Sequence, residues 1–292
     1  MDGFSISDTP VLRSPVVVMA FTGWSDTGTV TVDVAQRLID GFGAQRFLTV
    51  DPEEYYVFTD NRPTVRVDET GQRVLDWPKN EAYAAALPGS AHDLVIVRGV
   101  EPGLRWRTFS ERMSEALMAT GPSLICTLVA RPAATPHTRP VPVTGSAADP
   151  ALAAKFGLGR SMYQGPTGLL GVLHDVLRKQ DAALISLAAG VPHYLNVEEN
   201  PPATMALLHA LQPVLGIEPP VGDLPEQGER FAERVEEASR GDDQIMAYVR
   251  TLEEHYNETE EHAVDDEGLP SADDVLRDVE DLLRGGGEDE RG

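Results

Sequence analysis

Carboxylates, an arginine and aromatic side chains gather in four short motifs of this chain, each where an apolar run gives way to a polar turn. The first, Gly-Trp-Ser-Asp-Thr-Gly at 23 to 28, lies between the apolar run Val16 to Phe21 and an amphipathic stretch. Open α/β folds bind ligands at strand-to-helix turns of this kind, and free N–H groups at a helix start can hold an anion. The same residues also suit plain architecture, with Ser25 or Asp26 as helix N-cap and the glycines only shaping the turn. The second motif, residues 51 to 63, sets Glu54, Asp60 and Arg62 among three aromatic residues. Arg62 could take a carboxylate or phosphate through its planar fork, or pin the loop by an ion pair to Asp60 or Asp26. Gly-Val-Glu-Pro at 99 to 102, trailed by Trp106, brings Glu101 to the end of another apolar run. Gly-Pro-Thr-Gly at 165 to 168 opens a further amphipathic stretch, with Thr167 placed to cap it.

The sequence lacks the Gly-x-x-x-x-Gly-Lys-Ser/Thr loop, the Gly-x-Ser-x-Gly elbow and the His-Glu-x-x-His helix. Cys126 lies inside Ser-Leu-Ile-Cys-Thr-Leu-Val and reads as a small buried hydrophobe. His174 and His193 are lone histidines on apolar elements, and no metal-ligand spacing is present. No catalytic residue, metal or cofactor is therefore assigned. Trp24, Asp26, Glu54, Asp60, Arg62, Glu101 and Thr167 remain as a candidate crevice for a ligand or a subunit interface.

Positioning that crevice requires a sheet. Val16 to Phe21, Phe47 to Val50, Leu94 to Val97, Leu124 to Val129 and Ala183 to Ala188 are short apolar runs, as strands buried on both faces require. Between several of them, Gly28 to Ile39, Thr108 to Ala119, Gly168 to Arg178 and Ala203 to Val214 carry apolar residues at helical spacing. The alternation predicts an α/β fold, a three-layer αβα sandwich. Thr64 to Val67 and Arg73 to Asp76 alternate around Glu69-Thr70-Gly71, which predicts an added β-hairpin and a mixed sheet. Pro132, Pro136, Pro140 and Pro142 interrupt residues 130 to 150, predicting a long surface loop of the kind that often serves binding.

Charge divides the chain. Residues 1 to 220 carry 23 acidic and 17 basic side chains, whereas 221 to 292 carry 24 and 7. The expected organisation is a sandwich domain over 1–220, an acidic helical extension over 221–284 and a disordered tail over 285–292. Glu226 to Ser239, Asp242 to Glu261 and Ala272 to Leu283 are the helices expected in that extension. The middle one places Ile245, Tyr248, Val249, Leu252 and Tyr256 on one face, which should dock on something apolar, either the chain's own core or a partner. A net charge of −23 opposes nucleic-acid phosphate and anionic lipid. One cysteine excludes an internal disulfide, and no apolar run approaches the roughly 20 residues a bilayer requires. A cytoplasmic protein without membrane or nucleic-acid partners is expected.

Taken in order, the four motifs resemble the proteasome assembly chaperone family, specifically its actinobacterial members, over roughly residues 10 to 215. The resemblance implies a phosphorylase/hydrolase-like αβα sandwich with a helical C-terminal extension. It further implies a homo-oligomer, a trimer, that acts as an interaction protein, with proteasome α-subunits as the expected partner. Some relatives dock through a terminal hydrophobic-Tyr-any-residue motif. This sequence ends Glu290-Arg291-Gly292, which departs from that motif and leaves a partner surface elsewhere open. An older label of predicted ATP-grasp ligase implies an enzyme alternative, whose basic nucleotide-binding residues find no counterpart in Lys79, Lys155 and Lys179.

Overall fold

A computed structural model describes residues 3–7 and 10–262. Eight strands form one mixed sheet: β1 (Phe4–Ile6), β2 (Val16–Thr22), β3 (Gln45–Val50), β6 (Asn80–Ala85), β7 (Leu94–Val100), β8 (Leu124–Ala133), β9 (Val143–Ala147) and β10 (Leu184–Pro192). Their order across the sheet is β1-β3-β6-β7-β2-β8-β10-β9. The central strands β7, β2, β8 and β10 run parallel, and the remaining pairings are antiparallel. A separate hairpin joins β4 (Thr64–Val67) to β5 (Arg73–Asp76).

The helices are α1 (Val30–Gly41), α2 (Trp106–Met118), α3 (Pro150–Phe156), α4 (Leu169–Arg178), α5 (Pro201–Leu215), α6 (Leu224–Ser239) and α7 (Asp243–His262). Strand alternation decides which helices cover which face. Val16, Val18 and Ala20 of β2 pack with Leu38 of α1 and Leu207 and Leu211 of α5. Val17, Met19 and Phe21 pack on the other side with Phe109 and Met113 of α2 and Leu169 and Leu173 of α4. Both faces of β2 are thus buried, as its unbroken apolar run requires. In α4 the four-residue spacing of Leu169, Leu173 and Leu177 supplies the buried stripe. The αβα sandwich, mixed sheet and hairpin agree with the sequence expectation.

Residues 130 to 150 depart from it. Instead of one long loop, β8 continues to Ala133, residues 134–142 cross over, and β9 pairs antiparallel with β10 at the sheet edge. Strand β6 and the short helix α3 have no counterpart in the sequence reading. Residues 134–142 have a local purpose, because they receive α7. Arg139 pairs with Glu253 at 3.0 Å, the Tyr256 hydroxyl donates to the Pro140 carbonyl at 3.2 Å, and the Tyr248 hydroxyl meets His193 Nε2 at 3.0 Å. Val249 and Leu252 are buried beneath them, whereas Ile245 is exposed. The apolar face of α7 therefore docks on the chain's own core, and α6 packs on α5. The expected helix Ala272 to Leu283 and tail 285–292 lie outside the described residues. No described helix is long and apolar enough to cross a membrane.

Candidate functional site

All four motifs meet at one edge of the sheet, where the parallel strands β2 and β7 end and α1, α2 and α4 begin. Gly23, Trp24, Ser25 and Asp26 form the turn after β2, tied to β8 by the Ala130 N–H donating to the Ser25 carbonyl at 2.9 Å. Asp26 turns inward. Its Oδ1 accepts the Thr31 N–H in the first turn of α1 at 2.7 Å, so its carboxylate caps that helix while Thr29 itself occupies the left-handed region at φ 48°. The other oxygen, Oδ2, is buried without a hydrogen-bond partner among the described residues. Burial raises the Asp26 pKa to about 6, against the pull of the Thr31 and Val32 amides.

Glu101 follows β7 and reaches across to two other motifs. Burial raises its pKa, opposed by hydrogen bonds from the backbone of Leu169 and Trp24. Leu169 is the first residue of α4, whose N-cap is Gly168 with no side-chain cap. Glu101 thus supplies from a neighbouring strand the cap that the sequence placed on Thr167. Thr167 is exposed, with its hydroxyl 3.4 Å from the Gly168 carbonyl. Gly23 makes the approach possible: a Cβ there would stand 2.8 Å from Glu101 Cβ, and its φ of 120° is one that only glycine adopts without strain.

The 51–63 loop is held from beneath. Tyr55 is fully buried and meets Phe109 edge-on at 5.3 Å. The Tyr56 hydroxyl donates to the Val100 carbonyl at 2.6 Å and accepts from Asn80 Nδ2. Asn80 fits only because Gly99 opposite it lacks a side chain, since a Cβ there would overlap Asn80 Oδ1. Glu54 pairs with Arg105, which precedes α2 in the left-handed region at φ 55°. The expected Arg62 ion pair with Asp60 or Asp26 does not form among the described residues. Arg62 and Asp60 are both exposed, and the Asp60 carboxylate accepts from the Thr59 hydroxyl at 3.3 Å. Trp24 and Glu101 are therefore brought together with Gly168, while Asp26 turns into the start of α1, Glu54 joins Arg105, and Asp60 and Arg62 stand apart on the loop surface. Arg105, Tyr56 and Asn80 went unread in the sequence. Arg105 sits between Glu101 and Trp106, where a cation facing the acidic 51–54 turn was legible.

The arrangement spends its buried polar groups on fixing loops and leaves apolar side chains outward. Trp24 is 70% exposed, Met162 76% and Val67 66%, with Leu104, Tyr163, Val65 and Leu75 also exposed. Val65 stands opposite Leu75 and Val67 opposite Arg73 in the hairpin register, so one hairpin face carries three apolar side chains beside one arginine. Among the described residues no cluster of three metal-ligating side chains occurs.

The family model described as the PAC2 family matches residues 20–239. The chain belongs to the PAC2 family. A PAC2 family protein from Streptomyces avermitilis MA has a similar structure, at 38% identity and TM-score 0.73 over 80% of this chain and 99% of that one. A proteasome-assembly chaperone homologue from Mycobacterium tuberculosis matches at 38% identity and TM-score 0.71, with the same coverage of 80% and 99%. An archaeal proteasome activator from Pyrococcus furiosus shares the fold at 20% identity and TM-score 0.65, covering 82% of this chain and 100% of that chain. No curated protein matches the sequence. The PAC2 match spans all four motifs and the elements from α1 to α6.

Proposed function

We propose that this PAC2-family chain is an assembly protein that binds other proteins through the loop edge of its sheet. The observation that carries this reading is the division of labour there. Asp26, Glu101 and Glu54 are engaged in holding the turns, while Trp24, Leu104, Tyr163, Met162 and the hairpin face outward. Exposed apolar clusters on an otherwise charged surface mark protein contacts, and Trp and Tyr are common anchors in them.

The relative from Mycobacterium tuberculosis is described as a proteasome-assembly chaperone homologue, which supports proteasome α-subunits as the partner. A second copy of the chain is the other expected occupant of this edge, in a trimer as the family resemblance implies. The enzyme alternative is not favoured. Lys79, Lys155 and Lys179 lie before β6, in α3 and after α4, on separate elements. Affinity capture of the tagged protein from its own cells at low salt, followed by mass spectrometry, tests the assignment. Stoichiometric recovery of proteasome α-subunits or their assembly intermediates is expected, and recovery of no proteasome subunit contradicts it.

A further inference from the structure

A second site lies on the α4 face of the sheet, reaching from β9 to the first turn of α4 beside that edge. Thr127 of β8, Ser186 of β10 and Ser146 of β9 are register partners on three adjacent strands. Residues directly opposite in neighbouring strands share a face, so the three hydroxyls form one polar rung across a sheet that is otherwise apolar. Helix α4 covers the inner end, where Thr127 Oγ1 lies 2.9 Å from His174 Nε2. Helices α3 and α5 also pack on β10 and β9, and a cavity of about 380 Å³ opens over Ser186 and Ser146 beside α4. Neither of these two hydroxyls has a hydrogen-bond partner among the described residues.

Two guanidiniums line the same cavity. Arg178 comes from the end of α4 and Arg160 from the segment beside β9, whose Gly159 N–H donates to the Gly145 carbonyl at 3.1 Å. The one carboxylate in the lining, Asp175, is already neutralised by Arg178 at 2.8 Å and Lys179 at 2.6 Å. Arg160 has no ion pair among the described residues. A basic cavity in a chain of net charge −23 is out of keeping with its surroundings.

We propose that this trough binds a phosphoryl-bearing small molecule, its phosphoryl group held by Arg160 and Arg178 and its body lying along the Ser186–Ser146 rung. Three phosphoryl oxygens suit two guanidinium forks and flanking hydroxyl donors. The volume is at the small end of ligand sites, which run from about 300 to 1,000 Å³. Burial, with the Arg178 charge beside it, lowers the His174 pKa to about 4, so this ring adds no positive charge near neutral pH, and its Nε2 is engaged with Thr127.

Titration calorimetry of pyrophosphate and of inorganic phosphate into the full-length protein tests the assignment, with malonate as a carboxylate comparator. Binding of pyrophosphate is expected, weakened about tenfold or more in Arg160→Ala by loss of a charge-assisted contact, and also weakened in Ser186→Val. Arg37→Ala, which alters the separate cavity of about 340 Å³ between α1, α5 and α6, leaves affinity unchanged. Arg160 is exposed, so its variant should keep the unliganded thermal midpoint. Absence of phosphate and pyrophosphate binding at about 10 mM, malonate binding as tightly, or equal affinity in Arg160→Ala would each overturn the proposal.

Discussion

The Glu101 carboxylate, at the end of β7, takes a hydrogen bond from the backbone of Trp24 in the turn after β2. It also receives the first amide of α4 at Leu169, so one side chain holds two loops and leaves the Trp24 indole facing outward. Removing the acceptor strands two donors at a partly buried position. Glu101→Ala should lower stability by about 1–3 kcal/mol in chemical denaturation, and Glu101→Gln, which keeps an acceptor oxygen, should recover part of that loss. Equal stability of wild type and Glu101→Ala would remove Glu101 from this role.

Gly23 carries the same relationship from the other side. Gly23→Ala places a methyl group 2.8 Å from Glu101 Cβ and forces an alanine to φ 120°. A loss of about 1–3 kcal/mol is expected, with a change in Trp24 fluorescence. An unperturbed spectrum and midpoint would mean the turn is looser than its geometry.

Asp26 gives the edge a pH signature. Its folded pKa of about 6 lies above the ordinary 3.8, so the folded state binds the proton more tightly than the unfolded chain. Stability contributed by Asp26 is therefore highest at acid pH and falls as pH rises from about 4 to about 6, by up to about 3 kcal/mol. In Asp26→Asn that component of the pH slope should vanish while an acceptor for the Thr31 amide remains. An identical slope in the variant would contradict the burial of this carboxylate.

Helix α7 is fastened mainly by polar contacts around two buried side chains, Val249 and Leu252. Leu252→Ala should cost about 2 kcal/mol locally and speed amide exchange over 243–262, leaving exchange in the central strands unchanged. Faster exchange throughout the sheet would show that α7 and the sandwich unfold as one unit.

What the sequence makes legible follows from periodicity. Strand β2 is an almost unbroken apolar run because helices cover both its faces, β7, β8 and β10 carry apolar runs interrupted by Arg98, Thr127 and Ser186, and α2, α4 and α5 show their stripes. Strand β6, Asn-Glu-Ala-Tyr-Ala-Ala, has little β-propensity. It is held by pairing between β3 and β7 and by the Asn80–Tyr56–Val100 hydrogen bonds, none of which is local in sequence. Strand β9 is a half-exposed edge of small residues following four prolines, so composition pointed to a loop where β10 offers a partner. At the site, the glycines, Asp26 and Glu101 were legible as turn residues. The Glu101 cap on α4 was not, because it joins residues 68 positions apart, from 101 to 169.

The central claim is that the loop edge of the sheet is a protein-binding face. Photo-crosslinking in cells from a reactive amino acid at Met162, with the exposed His209 on α5 as a comparison position, tests it most directly. The account expects cross-links from position 162 to a proteasome α-subunit or a second copy of this chain, and few from position 209. Cross-links from 209 alone, or none from 162, would contradict it.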